Sequence, residues 1–214
     1  MTARDQMLAR VRGALGRSAK SGVAEPPPVR LRIPENTLED RVSEFAAALT
    51  ALGGSVTVVK NMAAAKSAVR SIIGDRSFAV SSAGILKNLG LEANCSRGAC
   101  STAEFGVSSA DFALADTGSL VFLSESRESR LISLLPPRHI AVISREKIVS
   151  GLDELFTMVP EPAAHSSSMV IVTGPSRTAD IEMRLVRGVH GPGDIHVMIV
   201  QDVTLYPSNA SEET

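Results

Sequence analysis

Apolar positions along the chain recur with two periods, and the switches between them outline the elements. Between residues 3 and 15, Met7, Leu8, Val11 and Leu15 share one helical face interspersed with arginines, and Gly16 ends it. Arg17 to Pro34 follow, with Pro26, Pro27, Pro28 and Pro34 in a polar stretch. Proline removes backbone donors and favours extended chain, so this stretch reads as a linker. Thr37 and Asp40 then form a capping-box pair, and Val42, Phe45, Ala46, Leu49 and Leu52 keep helical spacing until Gly53-Gly54 stops them. The run Ser55 to Val59 reads as a buried strand, Asn61 as the cap of a helix through Ile73, and Ser77 to Ser81 as the next strand. This alternation implies parallel strands joined by right-handed crossovers.

The rhythm changes at Asp111. DFALADTGSLVFLS holds two short apolar runs around Asp116-Thr117-Gly118, the pattern of a hairpin with glycine at its turn, so an antiparallel pair interrupts the parallel series. Beyond the polar loop SESRESR come Pro136-Pro137, a strand HIAVIS and a helix from Val149 to Met158. After the loose connection PEPAAHSSS come a strand MVIVT, a turn GPSRTAD, a helix from Asp180 to Arg187 and a last strand DIHVMIV. The fold class is α/β: an open mixed, mostly parallel sheet with helices on both faces. The expected organisation is an N-terminal helix and linker over 1–34, one domain over 35–206 and a polar tail over 207–214.

Composition narrows the function. Hydrophobic residues make up 44% of the 214, enough for a core, but aromatics are only 3% and Trp is absent. Val, Ile, Leu and Ala must therefore fill the interior. A formal net charge of −1 gives no field to recruit nucleic acid or an acidic membrane. No apolar run approaches the roughly 18 residues of a membrane span. The N-terminal stretch is broken by charge, unlike a secretion signal. Two cysteines, Cys95 and Cys100, make no disulfide scaffold, so a cytoplasmic location is expected.

Candidate chemistry lies in two turns. A strand ending in GPSRTAD and feeding a helix would aim free backbone N–H groups outward, with Ser176 and Thr178 as caps and Arg177 as a positive fork. That geometry suits a small carboxylate or phosphate, and Gly174 and Asp180 complete the motif. A plainer reading leaves Ser176, Thr178 and Asp180 as helix caps and gives Arg177 a carboxylate partner. At the hairpin, Asp116, Thr117 and Gly118 offer a carboxylate, a hydroxyl and amides, or else simply make a turn. A serine-hydrolase elbow lacks its second glycine, although Asp180 and His190 sit downstream. His139, His165, His190 and His196 have no metal-ligand spacing, and two cysteines fall short of a cluster or zinc set, so no metal is expected here. No nucleotide loop of the G-x-G-x-x-G or GK[ST] type occurs.

Four ordered stretches, ADFALADTGSLVF, LISLLPPRHIAVI, VTGPSRTADIE and LVRGVHGPGDIHVMIV, resemble the LUD domain of the lactate-utilisation protein C family, as does the leading MLARVRGALGR. The resemblance implies a fold of the NagB/RpiA/CoA-transferase superfamily. It also implies a role in oxidising L-lactate to pyruvate beside partner proteins that carry the iron–sulfur clusters, with no cofactor in this chain. Members of that family often carry Glu where this chain has Asp116, and the covalent chemistry of CoA transferases relies on a positioned Glu, so that activity is not carried over. Two functions remain open: a subunit of a lactate-oxidising complex, or a stand-alone enzyme or sensor in which Asp116, Ser176, Arg177 and Thr178 gather around one small anion. A homo-oligomer is compatible with both.

Overall fold

The computed structural model describes residues 2–16, 31, 33–123, 127–178 and 186–203. The chain divides into two units, Met1–Leu31 and Arg32–Thr214. In the first, α1 (Ala3–Ala14) starts at Thr2, whose hydroxyl accepts from the Asp5 amide while the Asp5 carboxylate accepts from the Thr2 amide. This reciprocal box satisfies two of the orphan donors at the helix start. The apolar face is as the spacing predicts, and it is uncovered: Met7 is 67%, Val11 50% and Leu15 62% exposed.

In the second unit the order is α2 (Leu38–Ala51), β1 (Ser55–Asn61), α3 (Met62–Ile73), β2 (Phe78–Val80), α4 (Gly84–Lys87), α5 (Arg97–Thr102), β3 (Phe105–Ser109), β4 (Phe112–Leu114), β5 (Ser119–Leu123), α6 (Arg127–Ile132) and β6 (Arg138–Ser144). A 3-10 turn (Arg145–Lys147), β7 (Ile148–Val149), α7 (Leu152–Met158), α8 (Pro162–His165), β8 (Met169–Val172), β9 (Arg177–Thr178), β10 (Val186–Arg187) and β11 (Asp194–Asp202) complete it. The predicted capping box of α2 is present: Thr37 Oγ1 accepts from Asp40 N at 3.1 Å, and Asp40 Oδ2 accepts from Thr37 N at 3.1 Å.

The central sheet is wholly parallel, in the order β1-β11-β6-β3-β2. Side chains on a strand alternate between faces, and here both faces are dry. Ile140, Val142, Met198 and Val200 pack with Ala65, Val69 and Ile73 of α3 on one side. Ala141, Ile143, Val197 and Ile199 pack with Phe45 and Leu49 of α2 and with Leu120 and Phe122 of β5 on the other. This double burial is why HIAVIS and DIHVMIV are near-continuous apolar runs instead of alternating ones. The fold is mixed α/β, its strands mostly parallel, with helices on both faces of the central sheet, as expected from the sequence.

The hairpin does not interrupt that sheet. It stands in a second, four-stranded sheet ordered β7-β4-β5-β8, with β4-β5 and β5-β8 antiparallel and β4-β7 parallel. Ile148 and Val149 therefore pair with Ala113 and Leu114, and the helix expected from Val149 begins only at Leu152. Part of the expected SESRESR loop is α6, while residues 124–126 lie outside the described residues. The pattern assigned no element between residues 82 and 110, yet β3 lies there. Its Gly106 is required by packing: a Cβ would sit 2.1 Å from the Ile132 carbonyl oxygen. The helix expected from Asp180 to Arg187 is corrected at its end. Val186 and Arg187 pair antiparallel with Thr178 and Arg177 as a small ribbon, and 179–185, including Asp180, lie outside the described residues.

Candidate functional site

The Asp116 turn is built by backbone hydrogen bonds that extend the β4-β7 pairing past the strand ends. Ala115 N donates to Val149 O at 2.9 Å, Asp116 N to Ser150 O at 3.1 Å, and Gly118 N back to Leu114 O at 3.0 Å. The amides of Asp116 and Gly118, expected as possible ligand donors, are thus spent on the turn. Gly118 has φ 64°, and a Cβ there would lie 2.4 Å from the Leu49 amide nitrogen of α2. Only glycine lets this turn rest on the helix backbone. Asp116 and Thr117 stay exposed while Gly118 and Ser119 are buried.

The Asp116 carboxylate lies against the backbone of Gly151, where a Cβ would meet Oδ2 at 2.7 Å. Both residues line a cavity of about 530 Å³ with Glu44, Ser150 and Asp153, and with Ile33, Pro34 and Leu152 as its apolar part. Its wall is buttressed from behind. Glu154 Oε2 accepts from Ser150 N at 2.7 Å, and Oε1 accepts from Arg41 Nη1 at 2.9 Å. Burial works to raise the Glu154 carboxyl, but the Ser150 hydrogen bonds and the Arg41 guanidinium outweigh it and hold it below the usual carboxylate range. Three carboxylates facing one cavity repel a bare organic acid and favour hydrogen-bond donors or a cation. Glu44, Ser150, Gly151, Asp153 and the Arg41–Glu154 pair were not singled out from the sequence. The only local signal was the Ser-Gly step before an acidic first helical turn.

The two predicted turns approach one another through hydroxyls without sharing a cavity. Ser119 Oγ donates to Thr117 Oγ1 at 2.8 Å and lies 2.8 Å from Thr173 Oγ1, next to Gly174. Gly174 has φ 76° and packs on the Leu52 side chain. Beyond it, Ser176 N donates to Pro192 O at 2.9 Å, and Gly188 N donates to Ser176 O at 3.0 Å. Ser176 Oγ accepts from His190 N at 3.4 Å, and Thr178 Oγ1 donates to Val186 O at 3.5 Å. Ser176 and Thr178 therefore stitch a ribbon together, the exposed His190 contributing its amide. The Arg177 guanidinium donates to the Leu52 carbonyl at the carboxyl end of α2, where a cation also meets the negative end of the helix dipole. Asp116 lines its cavity without Ser176, Arg177 or Thr178, so the expected gathering of all four around one anion does not form.

His139 and His196 each set one ring nitrogen against a hydroxyl. His139 is 1% exposed, its Nε2 lies 2.8 Å from Ser108 Oγ, and burial pushes its imidazole down to about 4. His196 Nε2 lies 2.8 Å from Thr57 Oγ1. Cys100 is buried, and burial first, then Cys95, pushes its thiol up, away from the thiolate that metals require. Among the described residues, no group of three or more His, Cys, Asp or Glu side chains is placed to hold a metal ion. No described helix is long and apolar enough to cross a membrane.

Residues 87–200, more than half of the chain, match the LUD domain family. The chain belongs to that family. The matched segment of this LUD domain protein takes in the Asp116 turn, the cavity wall from Ser150 to Asp153, and β11 as far as Val200. The chain is 38% identical over 104 residues to Lactate utilization protein C of Halalkalibacterium halodurans, an alignment covering 47% of this chain and 45% of the relative. It is 36% identical over 104 residues to Lactate utilization protein C of Bacillus licheniformis, covering 47% of this chain and 43% of the relative. The match thus spans somewhat under half the length of these curated relatives. A DUF162 family protein from Deinococcus radiodurans shares the fold, with a TM-score of 0.60 at 20% identity over 77% of this chain and 99% of that one.

Proposed function

We propose that this chain serves lactate utilisation as a cytoplasmic subunit without a redox centre, acting beside partner proteins that hold the iron–sulfur clusters. The reading rests on membership of the LUD domain family together with the name its aligned relatives bear. The chemistry of the chain is consistent with it, since two cysteines, one buried with a raised thiol pKa, are a poor ligand set. In this reading α1 is the docking element: its stripe of Met7, Leu8, Val11 and Leu15 is exposed, and a helix with one apolar stripe is stabilised by laying it into a partner's groove. The acidic cavity at Asp116 then completes a site on the assembly, receiving a donor or cation from the partner side.

Co-purification from the native host tests the reading. Partners carrying iron, with none in the isolated chain, are expected, and deleting residues 1–30 should weaken their capture while the remaining domain melts as before. Lactate oxidation by the isolated chain, or a stoichiometric cluster or flavin in it, would overturn the proposal. Unchanged capture after the deletion removes α1 from it.

A further inference from the structure

Cys95 and Cys100 are the two cysteines of the chain, and neither lines the Asp116 cavity. The backbone fixes both of them beside β2. Before Cys95, Asn94 is pinned to that strand: its amide donates to the Val80 carbonyl at 2.9 Å, and its carbonyl accepts from the Val80 amide at 3.2 Å. After Cys95, Ser96 caps α5, its hydroxyl accepting from Ala99 N at 3.2 Å and its carbonyl from Cys100 N at 2.9 Å. Cys95 therefore stands one residue before the cap and Cys100 four residues after it. Those are the two positions whose side chains pack together where a chain turns into a helix. Here Cys100 Sγ donates to the Cys95 carbonyl oxygen at 3.7 Å, and Cys95 packs on the cluster of Ala79, Cys100, Ala103 and Ile132.

The two thiols differ in what can reach them. Cys100 is 0% exposed, whereas Cys95 is half-buried. Burial first, then the neighbouring Cys95, raises the Cys100 thiol, which keeps it a poor nucleophile toward oxidants in solution. Cys95 is the sulfur that a small oxidant meets. Once oxidised, it has a second thiol at hand that solvent does not reach, and a bridge between them would close a loop of Ser96 to Ala99 alone. In a reducing compartment such a bridge is transient and redox-sensing, not a structural staple.

We propose that Cys95 and Cys100 are a modification site at which hydrogen peroxide closes an intramolecular disulfide. The Cys95 sulfur attacks one peroxide oxygen, the O–O bond breaks, and hydroxide leaves with the thiol proton as water, so Cys95 becomes a sulfenic acid. The Cys100 sulfur then attacks the Cys95 sulfur, the S–O bond breaks, and hydroxide leaves with the Cys100 proton as a second water. Two thiols lose two electrons, and one peroxide is reduced to two waters. The site does not depend on the lactate reading. Peptide mapping of the full chain, reduced, freed of reductant and then given hydrogen peroxide at neutral pH, tests it. Arg97 lies between the cysteines, so trypsin without reductant separates them unless a disulfide joins the two peptides. A joined pair with the mass of both peptides less two hydrogens, formed within single chains and split by dithiothreitol, is expected. Cys95→Ser should slow loss of the Cys100 thiol by at least about 10-fold, and Cys100→Ser should leave on Cys95 a sulfenic acid that dimedone traps. Two thiols still free after peroxide, Cys95 carried on to sulfinic acid beside a reduced Cys100, bridges between chains only, or unslowed oxidation of Cys100 in Cys95→Ser would overturn the site.

Discussion

Replacing Gly118 by alanine tests whether the Asp116 turn is clamped on α2. Two costs add. At φ 64° the backbone is left-handed, which an L side chain resists by about 1–2 kcal/mol. The new methyl also meets backbone, 2.4 Å from Leu49 N and 2.8 Å from Leu49 Cα, and neither atom can swing away, so overpacking adds about 1–3 kcal/mol. Gly90→Ala is the matched control. It has φ 60°, but its nearest obstacle is Lys66 Nζ at 2.7 Å, the free end of a flexible side chain. Gly118→Ala should therefore lose about 2–5 kcal/mol of unfolding free energy in urea and Gly90→Ala about 1–2 kcal/mol. Equal losses would refute the claim that the turn is braced against the α2 backbone. If the brace is real, the same variant moves Asp116 and should impair lactate-dependent growth below its melting temperature.

Three further outcomes follow from the same geometry. His139 is held neutral in the fold, down at about 4 against an ordinary 6.5, so the unfolded chain takes up its proton first. Stability from this group is level above pH 6.5 and falls by about 3 kcal/mol as pH drops from 6.5 to 4; urea titrations should show that slope, and His139→Gln should flatten it. Glu154→Ala leaves Arg41 and the Ser150 amide without their acceptor and should cost about 1–3 kcal/mol by urea unfolding at pH 7. A loss below 0.5 kcal/mol, roughly the noise of a surface substitution, would remove the buttress from the account. Asp116→Asn, at an exposed carboxylate, should change stability by no more than about 0.5 kcal/mol while abolishing complementation of a lactate-growth defect, and wild-type growth would count against the cavity.

How much was legible depended on how local each feature is. The capping box at Thr37 and the Asn61 cap need only three or four consecutive residues, and both were readable. The hairpin at Asp116-Thr117-Gly118 declared itself because a left-handed turn needs glycine. The short β3 did not, because its Gly106 and its small serines carry no strand signature and are explained only by the Ile132 carbonyl lying against them. The GPSRT turn misled for a related reason. Ser, Thr and Arg are good helix-start residues, yet here they are taken by Pro192, His190, Val186 and Leu52, partners 8 to 125 positions away.

By itself, the order of apolar and polar residues determined the class of the protein: alternating strands and helices, a core of aliphatic residues, and a leading helix. These follow from covalent neighbours and from period, which a linear string records. Only the tertiary structure decided that the last strand enters the middle of the sheet between β1 and β6, that the hairpin belongs to a second sheet, and that Asp116 lines its cavity without Arg177. Those outcomes depend on which buried faces cover one another and on which distant carbonyls claim a guanidinium, and no local periodicity encodes that choice.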